Sequence, residues 1–347
     1  MAPITNGRLI FKEAPGPDEY PIPGKTTAYD ESKTIDLENV ALNGGFLVKV
    51  LVLSIDPFLR GRMSVPKGLE KLYPPALKPG EPLQNSGIGI VLRSEHTSVK
   101  QGDHVYGRIS FEQYLIFPNL NGIEVLKNEA NIPISNYLGV AGSPGLTAYA
   151  AWKEFIKPKG NEVVYVSTGA GPVGSTVAQL AKRDGLKVIA SAGSDEKVKF
   201  MQEIGVDVPF NYKTTDIKEI LAKEGGIDIY WDNVGGETLD AAIDASHPNA
   251  RILACGMISG YNSPDSLAIK NIFQIIPKSI TIHGFNVPAL APKYIAEFRK
   301  EVPGLIAHGE LKVLEHITKG LDKAGHALLD VLTGKNIGKS ILIVAEA

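Results

Sequence analysis

Apolar positions along the chain change rhythm twice. Over 45–54 they form a β-branched run and over 87–92 a short apolar run; 102–107 is a turn entering a strand and 111–116 a further short run, with many Gly and Pro between them. That pattern predicts strands of a compact, barrel-like β domain. From Glu162 the pattern alternates: a buried-type strand at 162–167, helical spacing at 173–182, a strand at 187–191 and a helix at 196–203. Further strands are expected at 208–212, 227–233, 251–255 and 280–285. Strands alternating with helices predict βαβ units with right-handed crossovers, and about six such strands make one doubly wound parallel sheet. After Phe285 the alternation stops. Residues 292–308 read as a helix that Pro303 kinks or ends early, 324–332 as a helix closed by Gly334, and 340–344 as a final strand. The sheet is already complete, so this tail is expected to return to the first domain. The fold class is α/β: a β-barrel domain over 1–128, a doubly wound domain over 129–291, and a return segment over 292–347.

Composition narrows the chemistry. The 347 residues are 44% hydrophobic and 21% charged, ordinary for a soluble globular protein of about two domains. With 36 basic and 38 acidic residues the net charge is −2, which favours neither nucleic acid nor an anionic membrane. No apolar run approaches the roughly 20 residues of a membrane helix, and the N-terminus lacks a signal-type apolar stretch, so a cytoplasmic location is expected. The one cysteine, Cys255, excludes an intrachain disulfide, a four-cysteine zinc site and the two-cysteine, one-histidine site of zinc alcohol dehydrogenases. The 7 histidines show no HxxxH or HxH spacing. No metal site is expected.

Gly169-Ala170-Gly171-Pro172-Val173-Gly174 is a GxGxxG that follows a strand and opens a helix, the context in which the motif binds a dinucleotide. The first glycine permits a tight turn, the second lets the backbone approach a pyrophosphate, and the third lets helix and strand pack. N–H groups at the helix start then face the phosphates. The next strand ends Ala190-Ser191-Ala192-Gly193-Ser194, with no acid to bond the adenosine ribose hydroxyls as an NAD enzyme has. Lys197 is either a partner for a 2′-phosphate or a solvated helix charge, and Ser194 can add a hydrogen bond. The pattern predicts a preference for NADPH.

Longer motifs carry a resemblance. Ser54-Ile55-Asp56-Pro57-Phe58-Leu59-Arg60-Gly61-Arg62-Met63, Pro144-Gly145-Leu146-Thr147-Ala148-Tyr149, 192–198, Phe210-Asn211-Tyr212-Lys213-Thr214, Asp232-Asn233-Val234-Gly235-Gly236, 255–262 and Asn336-Ile337-Gly338-Lys339 occur in order. With them the chain resembles, nearly end to end, the zinc-independent medium-chain dehydrogenases/reductases. The branch is that of leukotriene B4 dehydrogenase, prostaglandin reductase and alkenal double-bond reductase. The resemblance implies a GroES-like β domain completed by the C-terminal segment, an inserted Rossmann domain, an interdomain cleft and a homodimer through the sheet edge at 279–285. It implies that Lys197 and Tyr212 hold the 2′-phosphate and that Asn233 lies near the nicotinamide ribose. Phe285 and Val287 would flank the nicotinamide ring, and Asn336 would reach the cofactor from the tail. Thr147, Gly193, Cys255, Ile258 and Gly338 join the cofactor contacts as members of the matched motifs. Cys255, read alone, is a small buried hydrophobe.

The activity implied is reduction of the C=C bond of α,β-unsaturated aldehydes or ketones. Hydride adds to the β carbon, and charge gathers on the carbonyl oxygen, where hydrogen-bond donors stabilise the enolate without a metal. Tyr261, matching the pocket tyrosine of the branch, is the expected donor, with a cofactor hydroxyl as the second; read alone it is a surface-loop tyrosine. Phe58 and Arg60 are the expected substrate-side residues, although Arg60 with Asp56 reads as a loop-fixing pair. Phe58 replaces a tyrosine common in the branch, and Ser143 a methionine, which points to a less polar substrate and a wider pocket. Quinone reduction and NADPH binding without turnover are the alternatives.

Overall fold

The computed structural model describes residues 2–64 and 75–346. The chain divides into two units: Met1–Leu138 with Glu315–Asn336 and Ser340–Ala347, and Gly139–Leu314 with Ile337–Lys339.

The first unit is built on a sheet in the order Glu315–Lys319, Lys339–Ile343, Phe46–Ser54, Gln84–Ser94, His104–Ser110, Ile123–Val125, with Tyr114–Phe117 also on Phe46–Ser54. The central strand Phe46–Ser54 is buried at every position but Lys49 and pairs antiparallel with three neighbours. One of them, Lys339–Ile343, is supplied by the C-terminal tail, as expected of a returning segment. Ser135 and Asn136 bond the Glu315 carboxylate at 2.8 Å each and hold the return in place.

The second unit is an α/β Rossmann domain. Its six strands run parallel in the order Val208–Asn211, Lys187–Ala192, Val163–Val166, Ile227–Asp232, Ser246–Ala254, Thr281–Gly284. The order reverses between Val163–Val166 and Ile227–Asp232, and ligands of such sheets bind outside the strand C-termini at that point. Apolar side chains of one face pack under the helix Pro172–Arg183, and those of the other under Ile217–Lys223 and Gly236–Ala245.

Two expectations need correcting. The helix after Phe285 runs Val287–Ala307, starting earlier than expected and passing through both Pro292 and Pro303. Each proline costs a helical hydrogen bond. The helix persists because Tyr294, Phe298, Val302 and Leu305 are buried against Val140, Leu146 and Tyr149 of the neighbouring helical segment. Tyr149 adds a 2.6 Å bond to Glu301, and Lys293 a 2.6 Å bond to Glu154. The same packing keeps 292–314 in the second unit, so the return begins at Glu315 rather than at 292.

The His247 contact in the sheet is pH-sensitive. His247 Nδ1 lies 2.9 Å from Asp228 Oδ1 and Nε2 lies 2.8 Å from the Gly225 carbonyl. Both partners accept, so both bonds form only when the ring is an imidazolium. The Asp228 hydrogen bond, then the Gly225 carbonyl, raise the His247 pKa above its ordinary value. A raised folded-state pKa means stability that is complete below the unfolded value and is lost as pH rises through the folded one. The contact is half-exposed, so its contribution is at most about 1 kcal/mol. Urea unfolding of the wild type is expected to show that loss between about pH 6 and pH 8. His247→Ala is expected to flatten it; equal pH dependence in both proteins would remove the contact from the account.

Candidate functional site

The turn after Val163–Val166 is shaped as a phosphate cradle. Thr168 takes a left-handed φ of 52°, a strained conformation for a β-branched residue. Gly169 N–H bonds the Ser191 carbonyl at 2.9 Å and fixes the turn to the adjacent strand. The three glycines do different work. A Cβ on Gly169 would meet Ala190 and Met201 at 2.7 Å, and one on Gly174 would meet the Thr168 carbonyl oxygen at 2.3 Å, so packing demands both. A Cβ on Gly171 would meet only that carbonyl oxygen, at 3.3 Å, and its φ of −76° suits any residue. The fold leaves the space beyond Gly171 open, and this is the glycine whose backbone must approach a pyrophosphate. Gly171 and Pro172 open the Pro172–Arg183 helix with no side-chain cap on its first N–H groups, among them those of Val173 and Gly174. The residues present therefore fit a dinucleotide phosphate.

At the end of Lys187–Ala192, Ser194 is the N-cap of the helix Asp195–Glu203, its Oγ accepting from Lys197 N–H at 3.4 Å. The hydroxyl proton remains available to donate. Asp195 and Glu196 fall in the first helical turn, as expected. Lys197 is half-buried, and its ammonium pKa is lowered chiefly by burial and then by the charge of Lys213. A Cβ on Gly193 would lie 2.9 Å from the Tyr212 hydroxyl and 3.2 Å from Lys213 Cε. Gly193, Lys197, Tyr212 and Lys213 thus converge. Sequence reasoning named the first three and missed Lys213, although it stands in the motif beside Tyr212; a lysine in a polar turn has no periodicity to mark it.

The third group lies at the C-terminal ends of Ile227–Asp232 and Ser246–Ala254. Asn233 donates its amide to the Ser167 carbonyl at 2.7 Å and its N–H to Ser167 Oγ at 2.9 Å, and accepts from Trp231 Nε1 at 3.2 Å. Its side chain thereby ties two strand ends together. Ile258 N–H bonds the Asn233 carbonyl at 3.3 Å, and the short 3-10 turn Ile258–Gly260 ends at Tyr261. A Cβ on Gly256 would sit 3.7 Å from the Tyr261 hydroxyl and 3.5 Å from the Asn233 carbonyl oxygen. The loop therefore brings the half-exposed Tyr261 hydroxyl close to Gly256. Burial pushes the Cys255 thiol up to about 12, so it is not a nucleophile at neutral pH.

Phe285 packs edge-on to Trp231, with centroids 5.8 Å apart, and against Phe155. Val287 starts the helix that follows. Thr147 turns its hydroxyl onto the Ser143 carbonyl at 2.8 Å within the helix Ser143–Phe155. Gly338 is demanded by packing, since its Cβ would lie 2.2 Å from the Leu314 carbonyl oxygen. Phe58, Arg60 and Asn336 belong to the first unit. There Phe58 opens the helix Phe58–Met63 and is partly exposed, whereas Arg60 is 3% exposed and donates to the Gly16 carbonyl at 2.9 Å. Its buried guanidinium anchors the chain at Gly16. Asp56 accepts from Asn85 at 2.9 Å.

Among the described residues no group of three or more His, Cys, Asp or Glu could hold a metal ion, and no helix is long and apolar enough to cross a membrane.

Comparison with known proteins bears on these groups. Residues 172–306 match a family model described as zinc-binding dehydrogenase, and residues 28–125 one described as the N-terminal domain of oxidoreductase. The chain is similar to an NADP-dependent oxidoreductase, RED1, of Cochliobolus heterostrophus, with 40% identity covering 98% of each chain. It is also similar to the NADP(+)-dependent 2-alkenal reductase of Nicotiana tabacum, with 36% identity over 92% of this chain and 95% of that one. The solved structure of CurA from Vibrio vulnificus in complex with NADPH superposes with a TM-score of 0.86 at 30% identity, covering 98% of this chain and 100% of that one. With the phosphate cradle and its single cysteine, the chain belongs to the zinc-independent branch of the medium-chain dehydrogenases/reductases.

Proposed function

We propose that this chain, an NADP-dependent oxidoreductase, reduces the carbon–carbon double bond of α,β-unsaturated aldehydes or ketones. The observation that carries the reading is the Tyr261 hydroxyl folded back beside Gly256 and Asn233 at the sheet's C-terminal end. The similarity to a 2-alkenal reductase supports the same substrate class.

NADPH, when bound, supplies the hydride. Gly171 and the N-terminus of Pro172–Arg183 receive the pyrophosphate, and Lys197, Lys213 and Tyr212 receive the 2′-phosphate. Asn233, by holding the strand end in place, would support the nicotinamide ribose. Tyr261 donates a hydrogen bond to the substrate carbonyl oxygen, where negative charge would develop as hydride reaches the β carbon, and the enolate would then take a proton from solvent at the α carbon.

A dimer belongs to the same reading. The edge strand Thr281–Gly284 pairs on one side with Ser246–Ala254, and Ile272, Phe273, Ile276 and Ile282 stand exposed around it. An apolar sheet edge invites pairing, and a second copy related by a two-fold axis covers it with the same surface.

Three outcomes are expected. Tyr261→Phe lowers kcat for an enone by roughly 100-fold while NADPH affinity stays near the wild type; an unchanged rate removes Tyr261 from the mechanism, and faster turnover of a quinone than of any enal or enone redirects the substrate class. Lys197→Ala and Lys213→Ala each weaken NADPH binding by about tenfold or more, with little effect on NADH; equal turnover of both cofactors by the wild type would refute the NADPH preference. Phe273→Glu with Ile276→Glu converts a dimer to a monomer in light-scattering chromatography, and a monomeric wild type would exclude the dimer.

A further inference from the structure

Asp232 ends the strand Ile227–Asp232 with 0% exposure. Its Oδ1 accepts three hydrogen bonds: from the Tyr230 hydroxyl at 2.7 Å, Val234 N–H at 2.9 Å and Gly235 N–H at 2.8 Å. Its Oδ2 is buried with no hydrogen-bond partner. Burial raises the carboxyl pKa above the usual range, and the three donors oppose that rise. Enclosing a carboxyl group with one oxygen unmet is costly, and such groups in a native fold call for an explanation.

The bonds around Asp232 supply one. Its side chain grips the turn that follows Asn233, where Gly235 and Gly236 take left-handed φ values of 72° and 53°. Its main-chain carbonyl receives Cys255 N–H at 2.9 Å and Gly256 N–H at 3.1 Å, the start of the loop that leads to Tyr261. The loop is then registered on the turn: Ser259 N–H bonds the Val234 carbonyl at 3.1 Å and Ser259 Oγ bonds it at 2.6 Å. The path to Tyr261 thus depends on where Val234 lies, and Val234 lies where Oδ1 holds it.

We propose that Asp232 is a positioning residue for Tyr261, its carboxylate setting the Val234–Gly235 turn against which the Cys255–Tyr261 loop is aligned. The kinetic part rests on Tyr261 being the donor in enone reduction; the structural part does not.

Asp232→Asn keeps an oxygen that can accept the same three bonds, Asp232→Leu keeps volume but accepts none, and Tyr230→Phe removes one donor. Amide hydrogen exchange on the protein without cofactor reads the loop directly. Asp232→Leu is expected to raise exchange at Gly256, Ile258, Ser259 and Tyr261 by about tenfold or more, with Val163–Val166 unchanged and Asp232→Asn several-fold weaker in effect. At saturating NADPH, kcat for an enone is expected to fall at least about tenfold in Asp232→Leu with NADPH affinity within about threefold. Unchanged loop exchange in folded Asp232→Leu, or equal effects of the Asn and Leu variants, would overturn the proposal. If Asp232→Leu does not fold, Tyr230→Phe decides: faster exchange at Val234, Gly235 and Ser259 supports the proposal, and wild-type exchange there overturns it. If Tyr261→Phe leaves the rate unchanged, the reading of Tyr261 as donor fails, while loop exchange still reports on Asp232.

Discussion

Ser167 and Asn233 join the two central strands of the Rossmann sheet where they diverge, and the site takes its shape from that joint. Ser167 Oγ accepts Asn233 N–H at 2.9 Å and lies 3.2 Å from the Tyr230 hydroxyl oxygen, to which it can donate, while its carbonyl accepts the Asn233 amide at 2.7 Å. These strands lie on either side of the point where strand order reverses, so their C-terminal ends must part to admit a ligand. Hydrogen bonds made at those ends tie the two strands together beneath the loops that follow. The glycine turn departs from the Ser167 side, and the loop bearing Tyr261 is bonded to the Asn233 side.

Charge is arranged around the same crevice by omission as much as by placement. The second strand of the sheet ends without an acid, and the acids that follow, Asp195 and Glu196, are spent in the first turn of their helix, where they suit the dipole. Asp195 is further occupied by a 2.8 Å bond from Asn211. Two lysines and a phenol converge near Gly193. Two ammonium groups close enough to depress one of them repel each other, and a dianionic phosphate between them would turn that repulsion into attraction.

Much of this architecture was legible in the sequence because parallel strands buried on both faces read as continuous apolar runs. The Rossmann strands, the glycine turn and the helix start at Asp195 all follow from local pattern. The helix Val287–Ala307 was legible only in part, because Pro292 and Pro303 are punctuation in a sequence, whereas long-range burial of Tyr294, Phe298 and Val302 overrides them in the fold. Arg60 shows the converse limit: its motif marks it, but only the structure reveals the Gly16 carbonyl that its guanidinium serves. Lys213 and Asp232 stand inside motifs that the sequence displays, yet their roles come from neighbours distant along the chain or from a hydrogen bond left unmade.

The glycine motif shows how fold and function can be separated residue by residue. A motif shared by many proteins does not say which of its members the backbone needs. Here Gly169 and Gly174 are needed by the protein itself, because side-chain atoms at 2.7 Å and a carbonyl oxygen at 2.3 Å occupy the place of a Cβ. Gly171 differs: its conformation is ordinary, and the nearest atom to a Cβ there is the Thr168 carbonyl oxygen at 3.3 Å, a tight approach. Glycine in a structured turn costs conformational entropy, which a close backbone approach to a pyrophosphate at this motif position would offset. The open face of Gly171 lies over an uncapped helix start, where N–H dipoles point outward and favour an anion. The Leu314 carbonyl requires Gly338 in the same way that Gly169 and Gly174 are required.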